Sequence, residues 1–296
     1  MRRRGRTGSD TFAGYAMVLP FYLVFLVFHL SPILVGLSFS FTNYDLYRTM
    51  EFVGLANYIR LFNDPLFVKS ILNTILYALY TIVPSIALGL AIALVLNRPL
   101  FGLSFFRVSF YLPFIVSMVA ASMVWLWIYN PSVGLLNALL ELVGIEPKFW
   151  LHDPGLAMGS VAIMSIWKIV GYNMIIFLAG LQSIPRMYYE VARIDGANRL
   201  QQFFKVTFPL LAPTTFFLFV TSSIQAFNVF VQVNILTNGG PVNSTTTIVH
   251  QIYTRAFTEF KMGYASAMAV LLFAMVAVIT MLNFRFGNRG TDTEIA

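Results

Sequence analysis

The chain contains no cysteine, which excludes disulfides, thiolate metal sites and a cysteine nucleophile. Charge is nearly as scarce. Asp, Glu, Lys and Arg make up 10% of the 296 residues, against about 25% in soluble domains, too little for a water-facing surface. Histidine occurs only as His29, His152 and His250, far apart in sequence, and each reads as a packing or interfacial residue rather than a ligand. None of the five lysines follows a glycine, so no Gly-x-x-x-x-Gly-Lys-Ser/Thr phosphate loop exists. His-Glu-x-x-His and Gly-x-Ser-x-Gly are absent as well. The chain is therefore expected to be no enzyme and to hold no metal or cofactor of its own.

What is abundant is apolar surface, at 58% of residues. That excludes a disordered chain and points to an integral membrane protein. Uncharged runs separate Asp10 from Asp45 and fill 70–97, 108–140, 206–254 and 262–284; a sixth, 154–185, is broken only by Lys168. About 20 apolar residues cross a bilayer as a helix. The runs predict six helical spans, about 12–40, 70–96, 108–129, 156–181, 210–236 and 265–284. They lack the alternation of a membrane barrel, so the fold class expected is an all-α membrane protein. The first run follows Arg2, Arg3, Arg4 and Arg6 but is about 30 residues long, beyond the ~7–15 of a cleavable signal core, and is read as a retained anchor. Residues 1–11 and 285–296 are expected to be tails flanking one membrane domain over 12–284.

The net charge of +7 follows from topology. With the N-terminus inside, the inner segments hold Arg2, Arg3, Arg4, Arg6, Arg98, Arg107, Arg186, Arg193, Arg199, Lys205, Arg285 and Arg289, which is 12 cations. The outer loops hold 6, and Lys168 completes the 19. This asymmetry puts both termini in the cytoplasm of a multi-pass plasma or inner-membrane protein. No compact basic patch with interleaved aromatics points to nucleic acid. No Asp or Glu lies inside a span, which disfavours a carboxylate proton relay and favours a passive conduit or a partner-driven transporter.

The inner segment 182–209 carries the most information. Pro185 suits a helix start; Met187, Val191 and Ile194 share one helical face. Gly196 suits a left-handed stop, and Asn198 can cap a second helix carrying Leu200, Phe203, Phe204 and Thr207. Both helices are too short to be stable alone, so their apolar faces need a partner, either the membrane surface or another protein. The residues Glu190-Val-Ala192, Gly196 and Val206-Thr-Phe208-Pro209, with three and nine residues between them, resemble the Glu-Ala-Ala loop of ABC importer permeases. Val191, Val206 and Phe208 replace the Ala, Ile and Leu of that pattern. Ile194-Asp195-Gly196-Ala197 adds to the likeness.

The resemblance extends to Phe41-Thr-Asn-Tyr44, Phe52-Val-Gly-Leu-Ala-Asn-Tyr58, Asn130-Pro-Ser-Val-Gly-Leu-Leu-Asn137, Ala179-Gly-Leu-Gln-Ser-Ile-Pro185 and Leu236-Thr-Asn-Gly-Gly-Pro241. These are similar to carbohydrate-uptake permeases of the glycerol-3-phosphate and maltose types. The resemblance implies a type I importer permease fold and a coupling loop around Glu190, Ala192, Asp195, Gly196 and Ala197. It also implies a second, different permease subunit, an extracytoplasmic sugar-binding protein, and two ATPase subunits that bind ATP and Mg in place of this chain.

A path for solute is suggested by Ser222, Gln225, Asn228 and Gln232, spaced to stay near one face of the fifth span, with Phe227 and Phe230 available to stack on sugar rings. Hydroxyls and amides suit neutral polyols, and the same groups serve equally as hydrogen-bonded links between spans. Alignment with the maltose-type permease, as the resemblance implies, brings its sugar-contacting positions onto Ser222, Gln225, Ala226 and Val229, and onto Trp167, Val170, Gly171 and Met174. Asn173 joins Gly171 as the wall expected opposite Gln225. Ala226 and Val229 offer no side-chain hydrogen bond, which argues against maltose itself. Lys168, at a span centre, either faces the path and favours an anionic solute or snorkels beside Trp167. The reading is a sugar or oligosaccharide importer subunit working by alternating access. Its rivals are an importer of glycerol phosphate or an anionic sugar and, from another class, a non-transporting membrane scaffold or sensor.

Overall fold

The computed structural model describes residues 8–45, 47, 49–99 and 101–287. Helices are α1 (Gly8–Phe25), α2 (Ser31–Ser40), α3 (Ala56–Phe62), α4 (Pro65–Leu96), α5 (Leu103–Ile115), α6 (Met118–Ile128), α7 (Leu135–Leu142), α8 (Ala157–Ser183), α9 (Arg186–Ile194), α10 (Arg199–Gln202), α11 (Phe208–Leu210), α12 (Ala212–Phe227), α13 (Val231–Leu236), α14 (Ile248–Tyr253) and α15 (Met262–Gly287). Among the described residues the only extended pairing is one bridge, Thr42 with Phe52. Among the described residues four helical stretches are long and apolar enough to cross a membrane: Gly14–Ser40, Pro65–Leu96, Ala157–Ser183 and Met262–Arg285. The 27 residues of the first would span about 40 Å at 1.5 Å each, and none of its most apolar window is buried within the chain.

The spans expected over 108–129 and 210–236 are not single helices. The first is α5 and α6, which meet at 100°. Pro113 sits in the last turn of α5, Val116 and Ser117 are extended, and the Ser117 hydroxyl accepts from the Ala120 N–H to start α6. In the second, the helical stretch Arg199–Leu210 meets α12 at 60°. The α12 helix stops at Phe227, and Asn228–Phe230 is irregular before α13 begins. Among the described residues the candidate spans therefore number four, or up to six when each bent pair counts as one.

The chain divides into two compact units. One runs up to Asn63 and includes Ile252–Leu271. Here Asn57 donates to the Ser40 and Thr42 carbonyls at 2.9 and 2.7 Å, satisfying groups left open where α2 ends. Gly263 lies so close to this turn that a Cβ would sit 2.1 Å from the Thr42 oxygen. Glu259 pairs with Arg255 and Lys261, each at 2.6 Å. Burial pushes its carboxyl up, but hydrogen bonds from Arg255 and Lys261 and their charges together outweigh this and hold it below the ordinary carboxylate range.

The second unit runs from Asp64 to Gln251 and resumes at Leu272. Asp64 caps α4 by accepting from the Leu66 and Phe67 N–H groups, with Pro65 in the first turn. The packing of α4 on α8 forms its core: Ala93, Leu96, Met174, Phe177, Leu178 and Leu181 are buried together with Leu211 and Leu218. Small residues permit the crossings. A Cβ on Gly89 would lie 2.6 Å from that of Asn173, and one on Gly171 would lie 1.9 Å from the Phe110 carbonyl oxygen.

Candidate functional site

Two places in the second unit carry the predicted residues. The first is the hairpin of α9 and α10. Its turn is set by backbone hydrogen bonds that follow from the sequence. Gly196 has φ +75°, a conformation that costs a residue with a side chain about 1–2 kcal/mol. The Ala197 N–H donates to the Ala192 carbonyl at 2.8 Å and the Gly196 N–H to that of Arg193 at 3.0 Å, the Schellman pattern that closes a helix. Asn198 and Gln201 then exchange side-chain to backbone hydrogen bonds at 2.8 and 2.9 Å, starting α10. Tyr189, on the inner face of α9, reaches the Thr207 hydroxyl at 3.0 Å and packs on the core.

The outer face of the hairpin has no such contacts. Met187, Val191, Ile194, Leu200 and Phe204 are exposed, as are Glu190 and Asp195. Between the helices lies a surface hollow of about 570 Å³ lined by Val191, Ala192, Asp195, Gly196, Ala197, Lys205 and others. Such a ridge of apolar side chains around a hollow, rimmed by carboxylates, is chemically a docking surface.

The second place is a cavity of about 120 Å³ among α4, α5, α6, α8, α12 and α13. Ser222, Gln225, Ala226 and Gln232 line it with Tyr77, Thr81, Ser85, Ser165 and Lys168. Gln225 is exposed, and its side-chain amide hydrogen-bonds to no described residue. Gln232 is buried and donates to the Tyr77 hydroxyl at 2.8 Å and to Ser165 at 3.5 Å. Lys168 is 8% exposed; its Nζ donates to the carbonyls of Pro113, Phe114 and Val116 at 3.1, 3.2 and 2.5 Å. These carbonyls are left open by the break between α5 and α6, so a lysine on α8 closes the end of a neighbouring helix. Sequence reading weighed the path against snorkelling for Lys168 and missed this third role, because the break itself was not foreseen.

The other predicted path residues lie elsewhere. Asn228 follows the end of α12, is exposed, and returns its amide to the Ile224 carbonyl. Val229 is buried, and its carbonyl accepts from Thr247. The interruption at Asn228–Phe230 breaks the helical ladder from Ser222 to Gln232. Phe227 is buried, and Phe230 lies against His250. Trp167 packs edge-on against Trp125. Gly171 is pressed on α5, Met174 is in the core, and Asn173 is fully buried against α4 with both amide atoms unpartnered. None of these lines the 120 Å³ cavity.

The motif Leu236–Pro241 forms a packed turn. Gly239, at φ +78°, leaves 2.7 Å between its missing Cβ and the His250 ring, and Asn73 ties the same turn through the Asn243 and Thr246 carbonyls. Burial pushes the His250 ring below its ordinary pKa.

The family described as binding-protein-dependent transport system inner membrane component matches residues 67–289. The chain belongs to that family. It is 39% identical over 290 residues to the Bacillus subtilis protein named "Probable ABC transporter permease protein YesP", covering 96% of this chain and 93% of that one. It is 35% identical over 276 residues to the sn-glycerol-3-phosphate transport system permease protein UgpA of Brucella abortus, covering 92% and 93%. Its structure matches a chain of the bacterial alginate ABC transporter, solved in complex with an alginate pentasaccharide-bound periplasmic protein. The TM-score is 0.85 at 26% identity, over 96% of this chain and 97% of that one. As a permease of this family it is a multi-pass membrane protein.

Proposed function

We propose that this permease is one of two different transmembrane subunits of an ATP-driven saccharide importer with six spans and both termini cytoplasmic. The observation that carries this is the exposed Glu190–Pro209 hairpin, with its apolar ridge and hollow, in a chain of the binding-protein-dependent transport family. Separate ATPase subunits, which bind ATP and Mg, receive the hairpin in a cleft. Glu190, Ala192, Asp195, Gly196 and Ala197 form the contact, and closure of the ATPases on ATP moves the hairpin and rocks the paired bundles. The alternating-access path runs by Ser222 and Gln225. An extracytoplasmic binding protein delivers the solute; the similar alginate transporter was solved in complex with an alginate-bound periplasmic protein.

The requirement for a partner permease is supported by size. Ligand cavities hold about 300–1,000 Å³, whereas the cavity beside Gln225 holds about 120 Å³; one copy supplies a wall. A saccharide is favoured because the wall offers hydroxyls and amides. An importer of sn-glycerol-3-phosphate is the second reading, favoured by the relatives named for it. Co-expression with the neighbouring coding sequences and purification through a tag on this chain tests the assembly. The expected product contains two ATPase subunits and a second permease and takes up saccharide in proteoliposomes at the expense of ATP. Uptake by this chain and the ATPase without a second permease would overturn the pairing.

A further inference from the structure

Lys168 is the one charged side chain lining the cavity. Its Nζ faces three carbonyl oxygens, which only accept. Three acceptors require three N–H donors, and only the ammonium form has them. The position is therefore charged. No carboxylate lines the cavity, and no described residue forms an ion pair with Lys168. The end of α5 offsets part of that charge, since a helix C-terminus carries about half a negative unit. A fraction of a positive charge remains on a wall otherwise made of neutral hydroxyls and amides.

We propose that the transported solute is an acidic saccharide, a sugar unit carrying a carboxylate that passes beside Lys168 while its hydroxyls exchange hydrogen bonds with Ser222 and Gln225. A carboxylate fits better than a phosphate ester. One partly offset cation balances a monoanion, whereas a phosphomonoester carries about −1.5 to −2 at pH 7. Attraction at this range needs no direct hydrogen bond, so the carbonyl cup stays filled as the anion passes. The inference rests on the saccharide-importer reading and assigns its substrate class.

The test uses the purified complex with its own binding protein in proteoliposomes. The probes are an oligogalacturonate and the same oligosaccharide with its carboxyls reduced to alcohols. Uptake of each is measured for the native chain, K168Q and K168R. Because the binding protein is the same throughout, its own preference cancels when the chains are compared. The native complex is expected to favour the uronate, and K168Q to lower that preference at least about tenfold, while K168R keeps it. Gln keeps two N–H donors but no charge, so K168Q tests charge; a matching elution profile checks assembly. Equal preference in the native and K168Q complexes, with saccharide still imported, would overturn the acidic-substrate assignment and leave the saccharide importer standing. Import of neither saccharide would overturn the importer reading itself. If K168Q does not assemble, K168M decides in the same assay: an unchanged uronate preference with assembly intact overturns the assignment, and its loss supports it.

Discussion

The hairpin and the cavity wall are built in opposite ways. In the hairpin every turn-forming hydrogen bond closes within a few residues, from Ala192 to Ala197 and from Asn198 to Gln201. Its outer side chains are left exposed. In the cavity wall the decisive contacts come from far along the chain: Gln232 reaches Tyr77, 155 residues away, and Lys168 reaches Pro113 across 55. A locally closed motif keeps its shape while its outer face stays available to a partner. A wall assembled from six helices has its shape only when all of them are packed. Substitutions in the wall should therefore fall on folding, and substitutions in the hairpin on coupling.

The largest effect should come from Gly171→Val. Its Cβ would lie 1.9 Å from the Phe110 oxygen, a backbone atom that cannot swing away, so α5 and α8 must separate. The expected result is no monodisperse protein after detergent extraction. A normally folded G171V chain would break the distinction at its strongest point. Next comes Gly196→Pro. Nothing lies within 4 Å of a Cβ at Gly196, yet φ is +75° and proline holds about −65°. The chain should fold and insert, while ATP-dependent uptake falls at least about tenfold because the turn that aims the hairpin is lost. Unchanged uptake would remove the hairpin from the coupling route.

Within the wall the comparison can be sharpened by two glutamines. Gln232→Leu leaves the buried Tyr77 hydroxyl without this partner and should cost about 1–3 kcal/mol of stability, read as a lower midpoint of thermal unfolding. Gln225, exposed on the cavity side with no side-chain partner among the described residues, should behave the other way. Gln225→Leu should leave the stability within about 0.5 kcal/mol of the native value and lower uptake severalfold. Since the native chain has no cysteine, a cysteine at 225 can be tested directly with a water-soluble thiol reagent. Loss of assembly in Gln225→Leu would show it to be a link between helices rather than part of a path.

The same contrast explains what the sequence made legible. Gly196 and Asn198 set the hairpin through backbone chemistry that depends on residue type alone, and each has the role its type implies; Pro185, expected in the first turn of α9, stands just before it as the N-cap. The long apolar runs likewise announce α4, α8 and α15. The ladder Ser222–Gln232 was read by helical spacing, which holds only while the helix continues. It stops at Phe227, and Asn228 and Val229 leave the line. Gly171 is brought to the path by the family alignment, with Asn173 beside it; nothing in their spacing shows that α4 and α5 cover them. The break after Pro113 was hidden because the apolar run continues through it, and with it the partner of Lys168.

The smallest effect tests how local the hairpin is. Asn198→Ala removes the oxygen that accepts from the Gln201 N–H at 2.9 Å, and N-caps contribute about 1 kcal/mol. The site is exposed and α10 is four residues long, so the loss should appear as faster amide exchange over 199–202 and nowhere in the packed helices. Uptake should fall about twofold, the share of hairpins open at any moment having risen while the Gly196 turn stays intact. Should the midpoint of global unfolding drop with the local protection, the hairpin would be part of the core's cooperative unit. The two regions would then differ in exposure but not in the way they are held.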